Sequence, residues 1–157
     1  MSGASWEHNL IVKNINTLVL PFLKGKPCDM FGSDLRIHIP EITLYTYPDL
    51  SIICGKPETD DEEKDIAINP SVLIEVLSKS TTDYDRGTKF HFYRSIAALK
   101  EYITIDSLSI SVEIYTRQDD NSWLLTEFKQ LSDSFVITTI GLSLSLKDVY
   151  EDVHIDE

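Results

Sequence analysis

The sequence predicts a single α/β (α+β) domain, residues 1–157, built on a mixed sheet flanked by helices with an antiparallel extension. Three observations carry this. A helical apolar stripe opens the chain. A strand, a helix and a second strand follow one another over Val72–Ile105. Two strands then flank the turn Gln118-Asp119-Asp120-Asn121. A chain of 157 residues can enclose a real core. Its 42% hydrophobic and 25% charged residues are those of a soluble globular domain.

Residues 5–24 read as the first helix. Ser5 is its N-cap, and Ile11, Ile15, Leu18 and Phe22 form its buried stripe. Gly25 and Pro27 end it. Asp29–Phe31 and Leu35–Ile39 read as two short strands joined through Gly32-Ser33, and Asp49–Cys54 as a central strand. Residues 56–68 are charged and contain Gly and Pro close by, so an exposed loop is expected. Val72–Leu77 is a strand buried on both faces.

Thr82–Ala98 reads as the second long helix, capped by Thr82 or Asp83 and packed through Phe90, Tyr93, Ile96 and Ala97. Glu101–Ile105 is the next strand, so Val72–Ile105 forms a parallel βαβ unit. Ser111–Arg117 and Trp123–Lys129 form a hairpin. Phe135–Thr138 is a last short strand and Leu146–Tyr150 a closing helix.

No stretch reaches the ~18 apolar residues of a membrane span. Residues 1–9 lack the basic start and apolar segment of a signal peptide. A cytoplasmic location is therefore expected. Cys28 and Cys54 then read as buried free thiols, with a disulfide or a reactive thiol as the less supported alternatives. The net charge of −12 opposes passive nucleic-acid binding. Its distribution softens that objection. Lys56–Asp65 holds six acids and two lysines, and Asp148–Glu157 holds five acids, which leaves the body at −3.

Two acids stand alone among apolar neighbours. Asp49 lies in Tyr47-Pro48-Asp49-Leu50-Ser51-Ile52-Ile53-Cys54, and Glu75 in Val72-Leu73-Ile74-Glu75-Val76-Leu77. Burying an ionised carboxylate costs several kcal/mol unless something positive compensates it. On neighbouring strands the two could share one divalent cation, with the Val76 carbonyl as a third protein ligand. Mg²⁺ accepts such an oxygen set, completed by waters. Lys89 is the candidate fixed cation. Glu75 lies ~7 Å from the end of its strand, and Lys89 ~9 Å into the returning helix, so the two fall level. Arg86, Lys89 and Tyr93 share a helical face.

Structural explanations stand beside each of these. Asp49 after Pro48 is also turn chemistry. Lys89 at i+4 from Asp85 also suits a surface ion pair. His8 shares the helix face of Ile11 and Ile15, where a satisfied packing role is common. His38 alternates with apolar residues and reads as structural, whereas His91 and His154 read as surface positions. Asp119-Asp120-Asn121 reads as a turn rather than a calcium loop.

At these residues the chain resembles a known family. Asn69-Pro70-Ser71-Val72-Leu73-Ile74-Glu75-Val76-Leu77-Ser78 and Ser80-Thr81-Thr82-Asp83-Tyr84-Asp85-Arg86-Gly87-Thr88-Lys89-Phe90 are similar to signatures of the Uma family of restriction-endonuclease-like proteins. That family lies within the PD-(D/E)XK nuclease superfamily. Tyr47-Pro48-Asp49, the Gly3–Asn9 segment and Ser33-Asp34-Leu35-Arg36 extend the resemblance over nearly the whole chain. It implies a restriction-endonuclease-like fold, Asp49 and Glu75 as metal ligands, and Mg²⁺-dependent hydrolysis of DNA, with Mn²⁺ able to substitute. Where the superfamily has Lys two residues after the second acid, this chain has Leu77. The cation is then expected from Lys89, with Lys79 ranked second. Relatives carry a further helix and hairpin before the segment that starts at Gly3, so either the start is assigned late or this is a shortened copy.

The leading expectation is therefore a metal-dependent DNA endonuclease. Asp49, Glu75 and Lys89 would be catalytic. Asp49, Glu75, Val76 and His8 would surround the metal, and Asp34 would complete the pocket. Relatives suggest a homodimer. The rival readings are a catalytically inactive binding or regulatory module on the same fold and a phosphoesterase acting on RNA or nucleotides.

Overall fold

The computed structural model describes residues 4–60, 62, 64–79 and 84–156, with residues 84–86 described by backbone alone. Helix α1 spans Trp6–Leu23. Strands β1 (Cys28–Phe31), β2 (Arg36–Ile39), β3 (Leu44–Thr46), β4 (Leu50–Cys54), β5 (Ile66–Ala67) and β6 (Val72–Leu77) follow. A π-helical segment, Tyr84–Lys89, runs into α2 (Phe90–Tyr93). Then come β7 (Glu101–Asp106), β8 (Val112–Arg117), β9 (Trp123–Phe128), β10 (Ser134–Ile137), β11 (Leu142–Ser145) and α3 (Leu146–Val149).

The main sheet runs β1-β4-β6-β7-β8-β9. Only β6 and β7 are parallel, as the βαβ pattern requires. Strand alternation divides β6 between two cores. Val72, Ile74 and Val76 join Ile11, Ile15 and Val19 of α1, together with Phe135, Leu144 and Val149. Leu73 faces the other way, onto Ile37, Ile39, Tyr93, Ile96 and Tyr102. All six residues of β6 are buried. Glu75 is thus on the Leu73 face, under the crossover segment.

Helix α1 starts as its sequence predicts, with the Ser5 hydroxyl accepting the His8 N–H at 3.1 Å. That cap places His8 in the first turn. Asn14, buried on α1, donates to the carbonyls of Val149 and Glu151, both at 2.9 Å, and ties α1 to the end of α3. Gly25 supplies the left-handed residue (φ 79°) that lets the chain turn into β1.

Four elements depart from the sequence reading. The helix expected over Thr82–Ala98 is short. Its described part is the π segment plus α2, and the proposed caps Thr82 and Asp83 lie outside the described residues. After α2 the chain is held by Arg117, whose guanidinium donates to the carbonyls of Arg94 (3.1 Å), Ile96 (2.8 Å) and Leu99 (2.7 Å). Burial lowers the pKa of Arg117 from the usual arginine value. The Ser95 hydroxyl also bonds back to Phe92 O at 2.7 Å, a contact that competes with the helical ladder.

Second, β3 has no counterpart in the sequence reading, and β1 and β2, read only as consecutive strands, fall in different sheets. β1 joins β4, whereas β2 lies between β3 and β5 in a separate small sheet. Its His38 is buried and stacks on Tyr45, with centroids 4.2 Å apart. Third, the loop expected over 56–68 ends in β5. Fourth, β11 completes a second small sheet with β10.

The cysteines overturn a further expectation. Cys28 and Cys54 face each other across β1 and β4 and are joined as a disulfide, so neither is a free thiol. Each lies in a different strand, and 26 residues separate them, so the sequence offers no local signal of the pairing. Cross-linking chain segments at this separation stabilises by about 2–4 kcal/mol. Reduction with dithiothreitol is expected to lower the unfolding free energy in urea by about 2–4 kcal/mol and to raise the m-value, because the uncross-linked unfolded chain exposes more surface, while the far-ultraviolet circular dichroism stays native in the absence of urea.

Two buried polar side chains hold the C-terminal region. Glu101, at the start of β7, accepts the N–H groups of Thr138 (3.2 Å) and Thr139 (2.7 Å) and the Thr139 hydroxyl (2.6 Å). Tyr150 donates to Asp106 O at 2.7 Å and accepts the Ser111 N–H at 3.1 Å. Burial, reinforced by the Asp106 charge, pushes this phenol above its ordinary range. Above about pH 10 the unfolded phenol releases its proton while the folded one keeps it. The unfolded state then binds fewer protons, so stability falls as pH rises. Tyr150→Phe should flatten this alkaline fall in urea denaturation curves. It should also cost about 1–3 kcal/mol at neutral pH through the lost bonds.

Candidate active site

The β4–β6 register is the basis of the site. Leu50 is paired with Ile74 in an antiparallel ladder. Asp49 immediately precedes β4, and its carboxylate reaches β6 at Val76, the residue after Glu75, so the two acids that the sequence singles out come to adjoining positions of one strand pair.

Their surroundings differ. Asp49 Oδ2 accepts the Val76 N–H at 2.8 Å, and Oδ1 lies 3.1 Å from His8 Nε2. The carboxylate thus stands in for the next main-chain acceptor, where β4 has already turned away at Pro48. Glu75 is deeper, its side chain 4% exposed. Its Oε1 accepts from Lys89 Nζ at 3.1 Å and from Tyr93 OH at 3.0 Å. Tyr93 also meets the Thr46 hydroxyl at 3.1 Å.

Lys89 and Tyr93 are four residues apart at the junction of the π segment and α2, which aims both at Glu75. The expected levelling of Lys89 with Glu75 is therefore a direct contact. Lys79 is exposed in the turn after β6, and Leu77 is fully buried. Asp34 lies exposed between β1 and β2, without a bond to these residues. The Asp85–Lys89 pair and the Arg86 side chain lie outside the described residues.

Tyr93, which the sequence reading placed both in packing and on the Lys89 face, and Thr46, which it passed over, also lie at the candidate site. The i+4 spacing of Lys89 and Tyr93 was the available signal. Nothing in the sequence pointed to Thr46, whose contact comes from the small sheet.

The donor set suits a hard divalent ion. Among the described residues no group of three His, Cys, Asp or Glu side chains is arranged to hold a metal. An ion here would draw on two carboxylates, a carbonyl and water, the set that Mg²⁺ and Mn²⁺ accept. Each carboxylate oxygen has two lone pairs. The Asp49 bonds to His8 and Val76 use one on each oxygen, so the carboxylate can be held by the protein and still coordinate.

The family model described as "Uma2: Putative restriction endonuclease" matches residues 1–147. This chain belongs to the Uma2 family. It is 35% identical over 150 residues to the Synechocystis protein slr1290, covering 96% of this chain and 77% of that one. It is 39% identical over 127 residues to the Synechocystis protein sll1609, covering 81% and 72%. A crystal structure described as "a putative nuclease belonging to DUF820", from Anabaena variabilis, superposes with a TM-score of 0.78 at 19% identity. The match covers 98% of this chain and 85% of that one. The Uma2 chain thus has a nuclease fold: a mixed α+β architecture with a mostly sheet core. None of its described helices is long and apolar enough to cross a membrane.

The buried pair can be tested without any substrate. Removing one partner of a buried ion pair leaves the other uncompensated. Lys89→Met should destabilise the fold by about 1–3 kcal/mol in urea denaturation. Adding Glu75→Gln to that variant should recover most of the loss, giving a coupling energy in the double-mutant cycle.

Proposed function

We propose that the chain is a metal-dependent endonuclease that hydrolyses DNA phosphodiester bonds. The carrying observation is that Asp49 reaches β6 beside Glu75, its Oδ2 accepting the Val76 N–H at 2.8 Å, with Lys89 Nζ 3.1 Å from Glu75 Oε1. Membership of a family described as "Putative restriction endonuclease" supports the same substrate class.

In this reading Asp49, Glu75 and the Val76 carbonyl hold Mg²⁺ or Mn²⁺. The ion supplies Lewis-acid stabilisation of phosphoryl charge and activation of water. His8 holds Asp49 in its orientation through Nε2. That role suits imidazole better than ligation, because Mg²⁺ favours oxygen. Lys89 presents a cation beside Glu75, where it stabilises the charge that builds on the phosphate and positions the attacking water. Tyr93 keeps the Glu75 carboxylate in place. A homodimer would offer one such site to each DNA strand.

Plasmid and single-stranded DNA should be cleaved in Mg²⁺ or Mn²⁺ and left intact in EDTA. Asp49→Asn, Glu75→Gln and Lys89→Met should each lower the rate at least ~100-fold. Equal cleavage by all four proteins rejects the site. No cleavage, combined with no Mn²⁺ heat in calorimetry, favours the inactive binding module. Turnover of RNA or nucleotides in place of DNA favours the phosphoesterase.

A further inference from the structure

The small sheet β3-β2-β5 has two unlike faces. Ile37 and Ile39 point into the second core, and Thr46 points onto Tyr93. Strand alternation puts Arg36, His38 and Tyr45 on the other face. His38 is paired with Tyr45 across the two strands, and their rings stack within 7° of parallel. The Arg36 guanidinium lies 5.6 Å from the centre of the Tyr45 ring, within cation–π range. Tyr45 still keeps 44% of its surface exposed, and Tyr47, two residues ahead of Asp49, keeps 56%. Cations and aromatic rings thus follow one another along the chain up to the candidate metal site.

Carboxylates of a single segment meet these cations. Residues 56–65, between β4 and β5, hold six acids and two lysines. Asp60 Oδ2 lies 2.6 Å from His38 Nδ1, and Asp65 Oδ1 lies 3.3 Å from the Arg36 guanidinium. The buried His38 Nε2 has no hydrogen-bond partner among the described residues. Ion pairs near the surface add little stability, and the Asp65 side chain is 59% exposed. A cover held so weakly can be displaced by another anion.

Phosphates suit the cations, because a guanidinium binds phosphate and carboxylate with the same geometry. Nucleotide bases suit the rings, because unpaired bases stack on aromatic side chains. A duplex hides its base faces and offers mainly phosphate charge, which a chain of net charge −12 repels. A strand with unpaired bases is therefore the occupant that fits. We propose that Arg36, His38, Tyr45 and Tyr47 form a track for single-stranded DNA, and that Asp60 and Asp65 hold the phosphate positions until the strand displaces them. This track rests on the reading of the chain as an enzyme that acts on DNA, and it specifies the form of DNA admitted. The acidic segment is then a built-in competitor, which lowers the affinity for any polyanion unable to stack on the two tyrosines.

Fluorescence anisotropy of the full chain with labelled oligothymidylate, in EDTA to prevent cleavage, tests it. Wild type should bind the single strand more tightly than a duplex of the same length. Tyr47→Ala should weaken binding about tenfold at an unchanged melting temperature, since this ring lies mostly outside the core. Tyr45→Ala should weaken it similarly, and Tyr45→Phe should retain it. Asp60→Asn/Asp65→Asn should tighten binding about tenfold. Asp119→Asn/Glu151→Gln removes the same charge from the β8–β9 turn and the segment after α3, and should change affinity less than about twofold. Equal tightening by both double variants, unchanged affinity in Tyr47→Ala, or equal affinity for the duplex overturns the track. No binding by wild type or by Asp60→Asn/Asp65→Asn also overturns it. The expected affinities without metal-dependent cleavage keep the track and reject the nuclease site. Metal-dependent cleavage without these affinity changes keeps the nuclease site and rejects the track.

Discussion

Everything at the candidate site depends on the antiparallel pairing of β4 with β6. That ladder brings Asp49 to the edge of β6, where its carboxylate takes the N–H of Val76, next to Glu75. A slip of one residue would turn one of the two acids to the opposite face of the sheet. Burial defends the register on both sides, since Ile52, Ile53, Leu73 and Ile74 are all essentially inaccessible. The core thus specifies the site geometry, and the acids bear the energetic penalty of standing in a position made for Val or Ile.

The two carboxylates are held by different means. Asp49 is near the surface and bound by a backbone amide and an imidazole, which fix its direction. Glu75 is deep and bound by an ammonium and a phenol, which offset its charge. His8 and Lys89 come from the two helical layers that sandwich the sheet. The site is therefore assembled from elements far apart in the chain, and its integrity reports on the packing of both cores.

Much of this was legible in the sequence. Periodicity located α1, the apolar run β6, the parallel unit and the β8–β9 hairpin. The isolation of Asp49 and Glu75 among apolar residues marked them before any coordinates, and helix arithmetic brought Lys89 beside Glu75. What stayed hidden depends on long-range partners. The short second helix is followed by carbonyls that Arg117 holds, two strands later in the chain. The Cys28–Cys54 bond requires knowing that β1 lies next to β4. The pairing of β10 with β11 had a visible cue in the alternation Leu142-Ser143-Leu144-Ser145, but four residues make a weak period. The small sheet around His38 is made of strands too short for any pattern to register.

The winding of Tyr84–Lys89 has its own consequence. A π-helical turn is wider than an α-helical one and is found mostly at functional positions. It sets the azimuth at which Lys89 leaves the backbone. In an ordinary α-helix each residue advances roughly 100° around the axis, so losing one residue upstream of Lys89 would swing its ammonium to another side. The turns over Tyr84–Lys89 are thus sensitive to length, because a deletion there would move Lys89 away from Glu75.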